Sequence, residues 1–325
     1  MLTDAFRRQI TYLRLSVTDR CNLRCRYCIP TAGIPEKSRK ELLTWEELTR
    51  LTRVFLGLGI RKVRITGGEP FMRKGLPDFL STIRRFKALE EVHLTTNGVD
   101  AARHIPLLSE IGISGINLSL DTLNHSKFEE IAGIDRLNEV LTTFNTLLEH
   151  RIPLKINTVV KTGFNTDELL DIARLAETHP IEVRFIEEMP LIGAGESEYP
   201  PWNSEQIMAL LRTGLTELIP LPRSDSTAKR FAVQGFAGRI GIISGHSRTF
   251  CSECNRTRIT ASGFLQTCLY SNRELNLTKL IRSGASDDQL TRLIRKSIRE
   301  RAADGFVAYR KRGHTPAESM VSIGG

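Results

Sequence analysis

The six cysteines of this chain fall into two triplets, Cys21, Cys25 and Cys28 near the start and Cys251, Cys254 and Cys268 far downstream, with no thiol left over. The first has the spacing C-x3-C-x2-C, which suits three thiolates gripping three corners of a 4Fe-4S cube and leaving the fourth iron without a protein ligand. An open iron is where a second molecule can bind and chemistry begin. A structural zinc site wants four ligands, and no fourth cysteine is at hand; the histidine closest in sequence is His93. A disulfide would strand one thiol. The second triplet, C-x2-C-x13-C, again supplies three thiolates. Zinc stays open as an alternative there, because C-x2-C also begins many zinc knuckles and His246 lies five residues upstream, although no partner C-x2-C follows. Arg256 and Arg258 alternate beside this triplet on an expected strand, so both can face one phosphate or carboxylate.

Two further features stand out. Lys155 lies inside the apolar run LKINTVV, where an isolated buried charge is costly and calls for an anion. In Gly67-Gly68-Glu69-Pro70 the glycines let the backbone approach a ligand closely and the proline stiffens the turn. Such a pair by itself more often marks only a turn.

The elements that must position these residues alternate regularly over residues 11–190. Strands are expected at 12–17, 62–66, 92–96, 115–120, 154–160 and 182–186, with helical segments between them. The clearest helix opens at Thr44, with Glu47 completing a capping box and Leu43 and Leu48 forming a staple. Six strand–helix alternations imply right-handed crossovers and a parallel sheet, doubly wound or curled into a full or partial barrel. The first triplet, Gly67–Pro70, Thr95–Gly98, Ser119–Asp121 and Glu187–Met189 all follow strands. That carboxyl rim is where parallel βα architectures bind ligands, so one shared site is expected. The rhythm changes after Met189: a linker over 191–202, a helix near 204–211, β-like stretches at 229–233, 239–243 and 257–260, and charged helix over about 273–304. We therefore expect two units, residues 1–190 and 191–325, the second carrying the distal triplet on a small antiparallel extension.

With 40% hydrophobic and 26% charged residues in 325, the chain can bury a large core. No apolar run approaches the roughly 20 residues that span a bilayer, and the start lacks the apolar block of a signal peptide. A cytoplasmic protein is expected, in which cysteine clusters are more often metal sites than disulfides. The formal charge of +9 permits an anionic partner. The cations are scattered, without the blocks of nucleic-acid-binding arms; the denser stretches 292–301 and 310–312 read as a solvated helix face and a mobile tail.

CNLRCRYC followed by RITGGEP resembles the radical S-adenosylmethionine (SAM) enzymes. In that family SAM chelates the open iron, the glycine-rich turn contacts its amino group, and one electron splits it into methionine and a 5′-deoxyadenosyl radical. Adding TTNG, LSLD, FIEEM, CSECNRTR with Cys268 and the terminal Gly-Gly, the chain from about Tyr12 to Gly325 resembles the GTP 3′,8-cyclase family, which opens molybdenum-cofactor (molybdopterin) biosynthesis. The resemblance implies an α/β fold, a partial (β/α)6 radical-SAM barrel with a small C-terminal antiparallel β plus helical extension. It implies two 4Fe-4S clusters at opposite ends of a channel, with SAM on the first and the guanine of GTP on the second. SAM contacts would fall on Tyr27, Gly68, Ser119 and Met189, and GTP contacts on Arg14, Arg64, Thr95, Lys155, Arg256 and Arg258, with Lys62 and Arg184 as further cations. The catalytic set would be Arg14, Lys155, Arg256, Arg258, Gly324 and Gly325, the last two as a tail entering the site. The radical would take the C3′ hydrogen of GTP and C3′ would add to C8, giving 3′,8-cyclo-7,8-dihydro-GTP.

The same resemblance implies an electron donor of flavodoxin or ferredoxin type and hand-off to a cyclic pyranopterin monophosphate synthase. It implies a monomer or homodimer, with neither nucleic acid nor membrane as partner. The chain departs from the family pattern at Phe71, Gly75 and Glu188, where an aliphatic, an acidic and an apolar residue are more usual. The competing readings are a peptide-modifying radical SAM enzyme, which usually carries more C-terminal cysteines, and an iron–sulfur scaffold without turnover.

Overall fold

A computed structural model describes residues 1–29, 33, 37–189, 200–222, 227–245, 247, 251–312 and 319–324. Most of the linker expected over 191–202 lies outside the described residues, as do His246 and Gly325.

Strands β1 (Tyr12–Ser16), β2 (Lys62–Thr66), β3 (Glu91–Thr96), β4 (Gly115–Ser119), β5 (Leu154–Val160) and β6 (Glu182–Glu187) pair in sequence order, all parallel. Their alternation explains the architecture. Leu13, Leu15, Val63, Ile65, Leu94, Leu118, Ile156 and Phe185 are fully buried on one phase of the strands. Helices such as Trp45–Gly57, Leu76–Arg84 and Leu169–Thr178 turn their own buried residues into the same core. The opposite phase is polar: Tyr12, Arg14, Lys62, Arg64, Thr95, Asn117, Lys155, Asn157 and Arg184 point the other way. In a closed (β/α)8 barrel that inner face is filled by branched apolar side chains. Here it lines a cavity instead.

Six further strands complete one 12-stranded sheet: β7 (Leu218–Pro220), β8 (Lys229–Val233), β9 (Arg239–Ile243), β10 (Arg256–Ile259), β11 (Phe264–Gln266) and β12 (Leu275–Asn276), in the spatial order β12-β11-β10-β1-β2-β3-β4-β5-β6-β9-β8-β7. The three expected stretches are β8, β9 and β10, and β7, β11 and β12, which the sequence reading did not include, complete the antiparallel sets β7-β8-β9 and β10-β11-β12. They do not form a separate sheet. β9 joins β6 and β10 joins β1, both in parallel, so the C-terminal region extends both edges of the barrel sheet. Alternation reveals that a strand exists but not which edge it joins; the unpaired edges of β1 and β6 supplied the partners. Among the described residues no helix is long and apolar enough to cross a membrane.

The first long helix begins as its sequence requires. Thr44 Oγ1 accepts from Glu47 N (3.2 Å) and Glu47 Oε2 accepts from Thr44 N (2.8 Å), while Arg282 Nε donates to Glu47 Oε1 (2.8 Å) and ties the C-terminal region to this cap. Thr44→Ala is therefore expected to destabilise the fold by about 1 kcal/mol, read as a lower urea midpoint at unchanged m. An unchanged midpoint would mean that the cap contributes nothing here.

Candidate active site

The first triplet lies just past the carboxyl end of β1, in a loop held from beneath by the turn after β2. Gly68 N donates to Thr18 O and Glu69 N to Arg20 O, each at 2.8 Å. A Cβ on Gly68 would stand 2.2 Å from Arg20 O, and one on Gly67 2.6 Å from Thr18 O. The glycine pair thus serves contact with the cysteine loop itself, a closer approach than the ligand contact expected from the sequence. Buried Glu69 accepts from Thr96 Oγ1 (2.8 Å), Asn97 N (2.7 Å) and Phe71 N (3.2 Å), joining the turns after β2 and β3. Asn97 Nδ2 reaches Cys21 Sγ at 3.6 Å, and Tyr27 donates to Asp121 Oδ2 at 2.6 Å.

The second triplet lies at the other end. Cys251 and Cys254 immediately precede β10, whose Arg256 is in register with Tyr12 and whose Arg258 is in register with Arg14. Because the two strands are parallel, one triplet enters at the amino end and the other follows the carboxyl end, about 16 Å apart along a five-residue strand. Cys268, just past β11, returns to the amino end because β11 runs antiparallel to β10. Arg301, read from sequence as part of a solvated cationic face, is only 5% exposed. Its Nη2 donates to Cys254 Sγ (2.9 Å) and its Nη1 to Cys254 O (3.0 Å).

Between the triplets lies a cavity of about 530 Å³, within the usual range of small-molecule sites. All six cysteines reach it, as do Tyr27, Gly68, Ser119 and Met189 towards the first triplet and Arg14, Arg64, Thr95, Lys155, Arg256 and Arg258 towards the second. Gly324 packs at the ends of β1 and β2. It has φ +78°, and a Cβ there would meet Ser16 Cβ at 2.7 Å and Thr66 Oγ1 at 2.8 Å. Arg258 Nη1 donates to its carbonyl and to that of Ile323, both at 3.4 Å.

Among the described residues nine lysine and arginine side chains line the cavity against two carboxylates, Asp121 and Asp304, so the space selects for anions. The crowding is electrostatically costly. Burial, then Arg258, Arg64 and Arg256, bring Arg14 down to about 9, although Tyr12 opposes the shift. Burial, then Arg184, brings Lys155 down to about 8. Both stay cationic at neutral pH, and a polyanion would relieve the strain. Thr66 Oγ1, Asn117 Oδ1, Asn157 Oδ1 and Gln266 Oε1 line the same space, buried without a hydrogen-bond partner, as expected of groups kept for a polar ligand. Sequence reasoning missed Asn117, Asn157 and Tyr12. Each lies two residues from a singled-out side chain on its own strand, and period-2 reading from Ser119, Lys155 and Arg14 finds them.

The thiols fit an iron–sulfur group. Burial and then Cys28 push Cys25 well above the ordinary thiol range, and burial with Cys21 pushes Cys28 up to about 12. Such mutual opposition to ionisation is what bound iron cations offset. At Cys254 burial is outweighed by Arg301 and Arg256, and its pKa is lowered. Among the described residues no three His, Cys, Asp or Glu side chains close on a single ion; a cube spreads its irons over separate corners. The departures from the family pattern have local causes. Phe71 stacks on His104 at 4.9 Å, Glu188 pairs with Lys161 at 2.7 Å, and Gly75 has φ +85° where a Cβ would meet Trp45 Nε1 at 2.9 Å.

Residues 15–176 match the radical SAM superfamily and residues 181–307 the family described as Molybdenum Cofactor Synthesis C. The chain is 41% identical over 302 residues to the GTP 3′,8-cyclase of Clostridium perfringens, covering 92% of this chain and 93% of that one. It is 42% identical over 299 residues to human molybdenum cofactor biosynthesis protein 1, covering 91% of this chain. It spans about half the length (47%) of that human relative. The crystal structure of Streptococcus suis SuiB shares the fold at TM-score 0.62 and 16% identity, over 93% of this chain and 72% of that one.

Tyr12 sits at the centre of the cation cluster, with Arg64 Nε donating to its hydroxyl at 2.5 Å. Burial alone would raise its pKa, but Arg64, Arg14 and Arg256 outweigh it and bring the phenol down from 10.0 to about 7. Among the five tyrosines, one is thus expected to ionise near neutrality in phenolate absorbance of the cluster-free protein. Since the folded value is the lower, its contribution to stability is fully present above about pH 10 and lost as pH falls through about 7. Tyr12→Phe should remove both the absorbance step and that part of the rise in urea stability between these values. Persistence of the step in the variant would assign it elsewhere.

Proposed function

This chain belongs to the GTP 3′,8-cyclase family of the radical SAM superfamily, whose chemistry uses SAM and an iron–sulfur cluster, and from that premise we propose that it is itself a GTP 3′,8-cyclase, acting at the first step of molybdenum-cofactor biosynthesis. The observation that carries the reading is the single cation-lined cavity with an open thiol triplet at each end. A peptide-modifying enzyme has no use for nine cations around so small a space, and a scaffold has no use for a channel joining two sites.

Cys21, Cys25 and Cys28 would hold the cluster that binds SAM; Cys251, Cys254 and Cys268 would hold a second, whose open iron takes the guanine ring. When bound, the first cluster and SAM would supply a 5′-deoxyadenosyl radical; loss of the C3′ hydrogen of GTP to it, bonding of C3′ to C8, and uptake of one electron from the donor and one proton would give 3′,8-cyclo-7,8-dihydro-GTP. The chain's own part is positioning. Tyr27, Gly68, Ser119 and Met189 would bind SAM at the carboxyl rim. Arg14, Arg64, Thr95, Lys155, Arg256 and Arg258 would clamp the triphosphate, about four negative charges, and hold the ribose at near-attack distance. Gly324 is supported as part of the same site by its contacts with Ser16, Thr66 and Arg258; Gly325 would extend it. In this division of labour residues 1–190 would generate the radical and supply Arg14, Arg64, Thr95 and Lys155 to the clamp, while residues 191–325 would supply the second cluster with Arg256 and Arg258. The electron donor would be a flavodoxin or ferredoxin and the recipient of product a cyclic pyranopterin monophosphate synthase, in the cytoplasm.

Anaerobically purified protein should hold about eight iron and eight sulfide per chain; about four would remove the second cluster. With dithionite and SAM it should form 5′-deoxyadenosine, faster with GTP, and deuterium placed at C3′ of GTP should appear in it. The nucleotide product should be isobaric with GTP, separable by chromatography, and saturated at C8 by NMR. Recovery of only unaltered GTP while a peptide gained label would sink the cyclase reading. Arg256→Ala or Arg258→Ala should weaken GTP binding about 10- to 100-fold, the loss of a charge-assisted contact, at unchanged iron content; loss of iron would mark these arginines as structural.

A further inference from the structure

The two thiol triplets differ in the charge carried by the side chains that donate to their sulfurs. Around the first, the donors to sulfur are neutral: Asn97 Nδ2 towards Cys21 at 3.6 Å, with backbone N–H groups of Asn22 and Leu23 towards Cys21 and of Val321 towards Cys28. Arg20, Arg24 and Arg26 belong to the same loop, but the charged side chains other than cysteines that act on these thiols are the carboxylates Glu69 and Asp121. Glu69 accepts from the backbone of the same Asn97 at 2.7 Å, and Asp121 accepts from Tyr27, between Cys25 and Cys28, at 2.6 Å.

Around the second triplet the backbone N–H groups of Arg256 and Tyr270 likewise point towards Cys254 and Cys268, but here a cation is added. The Arg301 guanidinium grips Cys254 at both its sulfur (2.9 Å) and its carbonyl (3.0 Å). Gly305 N donates to Cys251 Sγ at 3.4 Å. The segment between these two donors is pinned by Arg8, which donates to Ala302 O (2.7 Å), Ala303 O (2.5 Å) and Cys251 O (2.9 Å) while Asp4 holds its Nε at 2.5 Å. Arg8 is therefore a neutralised brace, whereas Arg301 brings its charge to the sulfur. The carboxylate that feels that charge, Glu274, is bonded by Thr267 Oγ1 at 2.6 Å.

Potentials of iron–sulfur clusters rise with positive charge nearby and with hydrogen bonds to the sulfurs. We propose that Arg301 is a positioning residue that, through its N–H···S bond to Cys254, holds the cluster on Cys251, Cys254 and Cys268 at a higher reduction potential than the cluster on Cys21, Cys25 and Cys28. The inference rests on the two-cluster reading above. Its consequence is an ordered pair: a reductant too weak to reduce the SAM-binding cluster still reduces the substrate-binding one, so the substrate end is charged with an electron before a radical is made.

The test is a redox titration of reconstituted full-length protein followed by electron paramagnetic resonance. Replacing Cys21, Cys25 and Cys28 together by alanine leaves only the second site. A protein so changed that binds no iron would end the two-cluster reading itself, a failure distinct from that of the present inference. With about four iron bound, its midpoint should lie above that of the complementary protein lacking Cys251, Cys254 and Cys268; an equal or lower midpoint would overturn the proposal. In the same background Arg301→Gln, which can donate without charge, should move the midpoint to more negative potential at unchanged iron content, and no movement would overturn the assignment to Arg301. Should the glutamine variant fail to hold iron, Arg301→Lys decides: it keeps the charge but has a shorter, single-point reach, and a smaller negative shift is expected, an unmoved midpoint counting against the proposal.

Discussion

Everything distinctive about this molecule depends on one ladder, the parallel pairing of β10 with β1. Its register sets Arg256 beside Tyr12 and Arg258 beside Arg14. Since the second cysteine pair immediately precedes β10 and the first triplet follows β1, the same few backbone hydrogen bonds that close the sheet edge also place the two triplets at opposite ends of one channel. Had β10 joined β1 antiparallel, its arginines would still alternate, but the second triplet would have come to the rim beside the first. The channel exists because the ladder is parallel.

Within that channel the dominant physical fact is charge held out of water. Burial and crowding shift the ionisation of Tyr12, Arg14, Lys155 and Arg258, which share a space with Arg64, Arg184 and Arg256 and with few carboxylates. Such an arrangement is unfavourable on its own, and the fold sustains it by the apolar layer on the other phase of the same strands. The stability supplied by Leu13, Ile65, Leu94 and Phe185 thus supports a preorganised cation cluster. Preorganisation is what the proposed cyclisation needs, because the reacting carbons belong to one molecule and the task is to hold its ribose and base in the right relation. Tyr12 and the buried amides of Asn117 and Asn157 add polar groups among the cations.

The carboxyl rim is organised differently, by close backbone approach more than by charge. Gly67 and Gly68 let the turn after β2 support the cysteine loop, Glu69 ties that turn to the next, and Gly324 fits where no side chain has room. This end reads as a rigid socket with neutral donors, the other as a cationic one.

The element boundaries were legible because their causes are local. The Thr44 cap, the strands 62–66, 154–160, 229–233 and 239–243, and the motif turns all follow from neighbouring residues, and the structure places the main helices and strands there. The chemistry of the cysteines, Arg256, Arg258 and Lys155 was legible too, since residue type and spacing state what a thiolate or a buried cation can do. The inward neighbours Asn117 and Asn157 were within reach of the same period-2 reading but lacked a motif to draw attention to them. What only the tertiary structure decided is who meets whom: that β9 and β10 extend opposite edges of one sheet, that Gly68 needs no side chain because of Arg20 O, and that Arg301 leaves an apparently solvated helix end to bind Cys254. These depend on contacts between residues as much as 244 positions apart, as Tyr12 and Arg256 are, and no local pattern of the chain encodes which distant partner a free strand edge or a guanidinium will find.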